Sequence, residues 1–278
     1  MKDSKINWCN HTWNPVIGCT KVSPACDHCY AEALAKRWWK ILWGPFMPRR
    51  RTSEATWRLV IRLDAEAEEL GIRPRVFCAS LADCFDHEWK AKDRDDMWRM
   101  IEVCRHLDFL MLTKRPQNFK RFLPWGKNDR PWSNVWLGVS TENIKEAQRR
   151  ISILREYPAV VRWTSAEPLL EDLSSVDHTG LDWIIAGGES GSQSRPMLPP
   201  WVRSLKREAR RAGAAFWVKQ FGTLYAKDLI QIGGIDSDAH ATEMKNWPAD
   251  LRIRELPEPH KVEISRTIPA GLTKSKVA

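Results

Sequence analysis

Phe109-Leu-Met-Leu-Thr113 runs directly into Lys114-Arg115-Pro116. An unbroken apolar run of this length suits a strand buried on both faces, as in a parallel sheet. The switch to charge and proline marks where that strand ends. The same pattern recurs on either side. Upstream lies Arg75-Val-Phe-Cys-Ala-Ser80, followed by Asp83. Downstream come Val135 to Ser140 with Thr141-Glu142, Val160 to Ser165 with Ala166-Glu167-Pro168, Trp183 to Gly187 with Gly188-Glu189-Ser190, and Ala215 to Lys219 with Gln220. Amphipathic helical patterns separate the strands at Glu54 to Leu70, Lys92 to His106, Asn143 to Glu156 and Pro200 to Ala212, the last opening on prolines that suit a first helical turn.

Strand and helix alternating about six times predicts an α/β fold, a partial TIM-type (β/α)6-7 barrel of parallel strands. In such barrels the C-terminal strand ends line the active site. Six polar or glycine-bearing ends meeting at one mouth therefore point to a site there, although taken singly serine and aspartate also serve as caps and turns. From about Thr223 the rhythm stops. Gly233-Gly234, Trp247-Pro248 and prolines 257 and 259 read as an irregular C-terminal appendage, and Arg266 to Ala278 as a loose tail. The expected division is residues 1–222 for the barrel and 223–278 for the extension.

With 43% hydrophobic residues in 278, the chain can bury a real core. No stretch approaches the roughly 18–20 apolar residues of a membrane helix. Met1 to Trp8 lacks the apolar core of a secretory signal, so a reducing cytoplasm and no membrane partner are expected. Seven cysteines, an odd number, argue there for metal or catalytic use over disulfides. Cys9, Cys78, Cys84 and Cys104 lie in or beside apolar runs and read as buried thiols. A net charge of +9 favours a polyanionic partner such as DNA or RNA. Basic residues cluster at Arg49 to Arg51, Lys114-Arg115, Arg149-Arg150 and Arg207 to Arg211, some of them solvated helix faces. Most of the sixteen tryptophans should be core, with some available to stack on bases. No HExxH, GxSxG or phosphate-loop pattern supports a hydrolase or nucleotide-triphosphate site.

The remaining cysteines fall in one loop, 18–30, within Thr12-Trp-Asn-Pro-Val-Ile-Gly-Cys19-Thr-Lys-Val-Ser-Pro-Ala-Cys26-Asp-His-Cys29-Tyr30. A strand around Trp13 to Ile17 precedes it and a helix through Trp38 follows. Cys26 and Cys29 can grip one metal centre, Pro24 stiffens the turn that returns Cys19, and three thiolates without a fourth leave one coordination position open. A zinc site is the competing reading. Asp27, His28 or His11 would then be the fourth ligand, though a histidine between two such cysteines is badly placed to join them.

A three-cysteine loop after a first strand, with an aromatic residue following, resembles the radical S-adenosylmethionine superfamily. The usual spacing there is three residues and then two, and here it is six and then two. The chain is also similar to a phage- and prophage-associated family of three-cysteine-motif proteins whose name implies no reaction. Thr12-Trp-Asn-Pro15, Gly18 to Pro24, Cys26 to Glu32, Leu112 to Pro116, Leu137 to Ser140, Ala166 to Leu169, Gly187 to Gly191 with Arg195-Pro196, and Lys219-Gln220 carry this likeness over residues 8 to about 222.

The superfamily resemblance implies that Cys19, Cys26 and Cys29 hold a [4Fe–4S] cluster. Its fourth iron would bind S-adenosylmethionine, and a 5′-deoxyadenosyl radical would take a hydrogen atom from the substrate. A flavodoxin or ferredoxin would supply the electron. Tyr30 matches a position that packs near adenine. Ser80, Asp83, Ser140 and Glu142 suit the methionine end or the ribose, and Lys114 and Arg115 suit a carboxylate or phosphate. Gly187-Gly188-Glu189 is similar to a glycine–glycine–glutamate that holds the methionine amino group. In the superfamily that motif follows the second strand and here it follows a late one, while its glycines suggest close backbone approach to a ligand. Glu167, Glu189 and Lys219 are the catalytic candidates, and Arg115, Arg195 and Gln220 the substrate-binding ones. Charge and phage likeness together suggest a nucleic-acid base as substrate, in phage DNA hypermodification with a thymine derivative as one candidate, in the cytoplasm of a bacterium or phage-infected host. Isomerase, lyase and transferase chemistries are all open. The alternatives are a zinc- or cluster-stabilised nucleic-acid-binding protein without turnover, and a radical enzyme acting on a peptide or small metabolite.

Overall fold

A computed structural model describes residues 1–41, 43–231 and 238–259. Gly233-Gly234 and the tail from Arg266 lie outside the described residues. In chain order the elements are β1 His11–Trp13, β2 Val16–Ile17, α1 Tyr30–Trp39, β3 Arg50–Arg51, α2 Glu54–Leu70, β4 Arg75–Cys78, α3 Ala91–Val103, β5 Asp108–Thr113, α4 Phe119–Phe122, β6 Val135–Ser140, α5 Ile144–Arg155, β7 Arg162–Ala166, β8 Trp183–Gly187, α6 Pro199–Ala212, β9 Ala215–Gln220 and α7 Thr223–Gln231. Seven strands form one curled, all-parallel sheet in the order β1-β4-β5-β6-β7-β8-β9, the half-barrel that the apolar runs predicted. No helix is long and apolar enough to cross a membrane among the described residues.

Two local expectations are corrected. The single strand expected over Trp13 to Ile17 is two. β1 joins the main sheet beside β4, whereas β2 pairs antiparallel with β3 in a separate ribbon. Pro15 has no N–H to donate and breaks the ladder between them. The strand–helix alternation is interrupted between β7 and β8, where no helical pattern is expected. Residues 167–182 cross there without a helix, and Leu169, Leu173, Val176 and Leu181 bury themselves in the core in its place. The extension after Thr223 is not wholly irregular, since it begins with α7, and Ala241, Trp247 and Leu251 are buried in the main core.

Side chains alternate across the sheet. One set (Val76, Cys78, Phe109, Met111, Leu137, Val139, Ile184, Phe216) packs against the helices. The other faces the concave side and is built from tryptophan. Trp136, Trp163, Trp183 and Trp217 cluster there with Phe77, Leu110, Ile185 and with Trp8 from the N-terminal segment. Gly138 makes this possible, because a Cβ there would meet the Trp163 ring at 2.3 Å. The same N-terminal segment spans the opening between the first and last strands. Asn7 Nδ2 donates to the Lys219 carbonyl and Asn7 Oδ1 accepts from Trp217 Nε1, both at 3.1 Å. The outer edge of β9 is covered too, by an antiparallel bridge of Trp217 with Arg254 and by Val218 N–H donating to the Ile253 carbonyl. The tryptophan floor leaves the C-terminal strand ends as the open mouth.

Candidate functional site

The cysteine loop follows β2 at that mouth, and the chain fastens it on two sides. Asn14 starts the anchoring: its Oδ1 accepts from Leu81 N–H at 2.8 Å and its Nδ2 donates to Ser80 Oγ at 3.0 Å. On one side Arg115 is buried and donates to Cys19 Sγ at 3.4 Å, to the Thr20 carbonyl at 2.7 Å and to Asp83 at 3.0 Å. Asp83 is itself held by Thr113 Oγ1 and Lys114 N–H. Arg49, buried against Asp86 at 2.8 Å, reaches Thr20 Oγ1 at 2.6 Å. On the other side Glu189 accepts from Arg195 at 2.7 Å and lies 3.1 Å from His28 Nδ1. Arg195 continues to the Pro24 carbonyl at 2.8 Å and to Asp27 at 3.3 Å. Burial works against the Glu189 charge, but the hydrogen bonds from Arg195 and His28 outweigh it and hold the carboxyl below its ordinary range. Asp83, Arg115, Glu189 and Arg195, expected to meet cofactor or substrate, thus act on the loop that carries the thiols.

Burial pushes the Cys19 thiol up to about 12, with Arg115 pulling the other way. Cys29 is also raised by burial, although it sits at the N-cap of α1, where backbone N–H groups favour a thiolate. The three sulfurs are not gathered for a single ion. Among the described residues only Asp64, Glu68 and His106 bring three donors within 4.8 Å of one another. Four-coordinate zinc with bonds of about 2.3 Å would draw its thiolates closer than that. His28 Nδ1 is turned to Glu189, and His11 Nδ1 accepts from Asp3 N–H. Three thiols on one loop, joined by no imidazole or carboxylate among the described residues, are a donor set that could hold three irons of an iron–sulfur cluster.

Around the thiols, Lys114 offers an ammonium held above its ordinary value: burial opposes its charge, and Cys26, Glu142 and Cys29 support it and outweigh burial. Tyr30 is half-exposed, with its hydroxyl donating to the Ser80 carbonyl at 3.1 Å. Lys219 pairs with Glu167 from the neighbouring strand end. Deeper down, Arg150 binds the Glu142 carboxylate at 2.7 Å and the Ser140 carbonyl at 2.9 Å, with Glu142 and Arg150 fully buried. Ser140 and Glu142 therefore form a brace beneath the mouth. The glycines of Gly187-Gly188 approach protein, not an open ligand space: a Cβ on Gly187 would meet Glu167 at 3.1 Å and one on Gly188 the Phe221 carbonyl at 2.1 Å. Gln220 holds the same turn, donating to the Gly188 carbonyl at 2.9 Å and Ser190 Oγ at 2.6 Å.

Sequence reasoning passed over Asn14, Arg49, Asp86 and Arg150 as functional supports. Asn14 precedes a proline within the Thr12–Pro15 stretch that carries the family likeness, and nothing in that stretch marks it as a support for the loop. Arg49 and Arg150 are indistinguishable in sequence from the solvated arginines beside them.

The fold and mouth define a half-barrel α/β protein with a braced three-thiol loop at the C-terminal end of its parallel strands. Residues 3–254 match the family described as "Protein of unknown function (DUF5131)", and the chain belongs to that family. No curated protein and no solved structure matches it.

Proposed function

We propose that this protein is a radical S-adenosylmethionine enzyme acting on a nucleic-acid base or a nucleotide derived from one, with phage DNA as the setting that its three-cysteine likeness suggests. The observation that carries the proposal is the placement of Cys19, Cys26 and Cys29 on one loop, with no fourth ligand gathered to them among the described residues, at the mouth of a parallel half-barrel beside the Lys114 ammonium. A [4Fe–4S] cluster held by these thiols would supply a low-potential electron and one iron open to the amino-acid end of S-adenosylmethionine.

The chain's own groups have separable tasks. Lys114 Nζ binds the cosubstrate carboxylate. The exposed Tyr30 ring covers adenine while its hydroxyl stays on the Ser80 carbonyl. The pair of Lys219 Nζ with Glu167 Oε1 holds a proton at the rim and orients the base that enters. Arg115, Arg195 and Glu189 keep the thiols in register, and the tryptophan floor excludes water from below. A base in a duplex would have to leave the stack to reach this mouth. The net charge of +9 supports a polyanionic substrate.

Anaerobic purification and reconstitution test this directly. The expected result is about four irons with matching sulfide per chain and release of 5′-deoxyadenosine on addition of S-adenosylmethionine with reduced flavodoxin or dithionite, both lost in Cys26→Ser. One zinc per chain, or a loaded and reduced protein that releases no 5′-deoxyadenosine with candidate DNA present, overturns it.

A further inference from the structure

Every exposed aromatic side chain among the described residues falls within residues 30–46: the half-exposed Tyr30 and Trp39, Trp38 at 64% exposure, and Phe46 at 88%. The other tryptophans with a described place are wholly or partly buried. On α1, Tyr30, Leu34 and Trp38 recur at intervals of four, so they form one outward stripe about 12 Å long, while Ala31 and Ala35 pack inward. The stripe starts at the residue after Cys29.

Phe46 is displayed by construction. It sits at φ 61°, a conformation rare for a bulky residue, and the buried Arg49 guanidinium holds the carbonyls of Gly44 and Met47 on either side of it at 3.1 and 2.8 Å. Gly44 N–H donates to the Cys19 carbonyl at 3.0 Å, which ties this turn to the cysteine loop itself. The surrounding charge has one sign. Between residues 33 and 53 there are six arginines and lysines and no acid. Arg49 and Arg51 are engaged with Asp86, Asp93 and Asp96. Lys36, Arg37, Lys40 and Arg50 are exposed and have no carboxylate partner among the described residues, and Arg37 lies 5.1 Å from the Trp38 ring centre.

Aromatic faces interleaved with unpaired cations, continuous with a reactive mouth, match what an unpaired strand offers: stackable bases and a phosphate at every step. Paired bases cannot stack on such side chains. We infer that the outer face of α1 and the Phe46 turn form a docking platform for single-stranded nucleic acid, which leads one base to the mouth beside Tyr30. The inference rests on the reading of that mouth as the place where a base reacts, but the platform works without the chemistry.

The test measures fluorescence anisotropy of the full-length protein with labelled single-stranded DNA of about a dozen nucleotides, within the range one such surface spans. The same assay uses the matching duplex, and cosedimentation uses vesicles of phosphatidylcholine with phosphatidylserine. Single strands should bind more tightly than duplex. Trp38→Ala and Phe46→Ala should each weaken binding at least about fivefold, with Trp38→Tyr retaining most of it. Replacing Lys36, Arg37, Lys40 and Arg50 by alanine should flatten the plot of log affinity against log salt by up to about 0.7 per cation removed. Unchanged affinity in both aromatic variants, equal affinity for duplex, or capture by vesicles but not by single strands overturns the inference. A protein that binds single strands through these residues yet releases no 5′-deoxyadenosine overturns the enzymatic reading alone. One that releases it yet ignores single strands overturns the platform alone.

Discussion

The floor and the mouth of the half-barrel are made from the same strands and are stabilised in opposite ways. The floor is tryptophan against tryptophan, with Trp163 and Trp183 ring centres 5.8 Å apart and Trp8 and Trp163 5.4 Å apart. Its order comes from area and shape. The mouth is arginine against carboxylate, and removing either partner strands a charge in a poorly solvated place. A floor residue can therefore be replaced by anything of the right volume, whereas a mouth residue needs its partner.

That contrast can be broken most sharply beneath the mouth. Arg150→Met leaves the Glu142 carboxylate buried without its cation and should cost about 3–5 kcal/mol in denaturant unfolding. Adding Glu142→Leu should restore much of that loss, and no recovery would mean that the stranded carboxylate is not what destabilises the single variant. On the floor, Gly138→Ala drives a methyl into the Trp163 ring and should cost about 1–3 kcal/mol, read as a lowered Tm. A smaller residue at 163 should relieve it, a rescue expected of shape and not of charge. Arg195→Ala should leave the fold intact but loosen the 24–28 segment. In the cluster-bound protein proposed above, the reading would be iron retained against a chelator, with affinity down about tenfold, the effect expected of a residue that orients metal ligands. Arg210→Ala, which removes an exposed pair with Glu255, should change stability by less than about 0.5 kcal/mol.

A pH titration sharpens the comparison outside both regions. Asp238 accepts from Thr242, Glu243 and Asn246; burial opposes its charge, and these bonds outweigh it, so its carboxyl is held below the ordinary value. A depressed carboxyl stabilises the fold above its unfolded value, near 3.9, and that contribution is lost as pH falls through the lower folded value. Asp238→Asn should therefore be less stable at neutral pH and lose less on acidification below about pH 4. Parallel acid limbs for both proteins would rule this role out.

Much of the fold could be read directly. The apolar runs at Asp108–Thr113, Val135–Ser140 and Trp183–Gly187 are strands with the bounds, within a residue, that their composition implies. Cys9, Cys78, Cys84 and Cys104 are buried, as expected of thiols in apolar surroundings. The helix-free crossing after β7 could not be read from local spacing alone, because Leu169, Leu173 and Val176 keep a helical spacing while the chain between them turns. Within the site, the thiol loop was evident and its supports were not. The basic run on α6 and the basic run after α1 look alike in sequence. Arg203, Arg210 and Arg211 face carboxylates, while Lys36, Arg37, Lys40 and Arg50 face solvent.

By itself the sequence determined the strand rhythm, the thiol loop and the polar strand ends, since all three are properties of neighbours along the chain. Only the tertiary structure decided which of those polar groups remain available. Glu189 and Arg195 reach back some 160 residues or more to His28, Pro24 and Asp27, and Arg115 reaches back 96 to Cys19. Whether a charge is neutralised depends on distances of about 3 Å in space, and no local pattern encodes them.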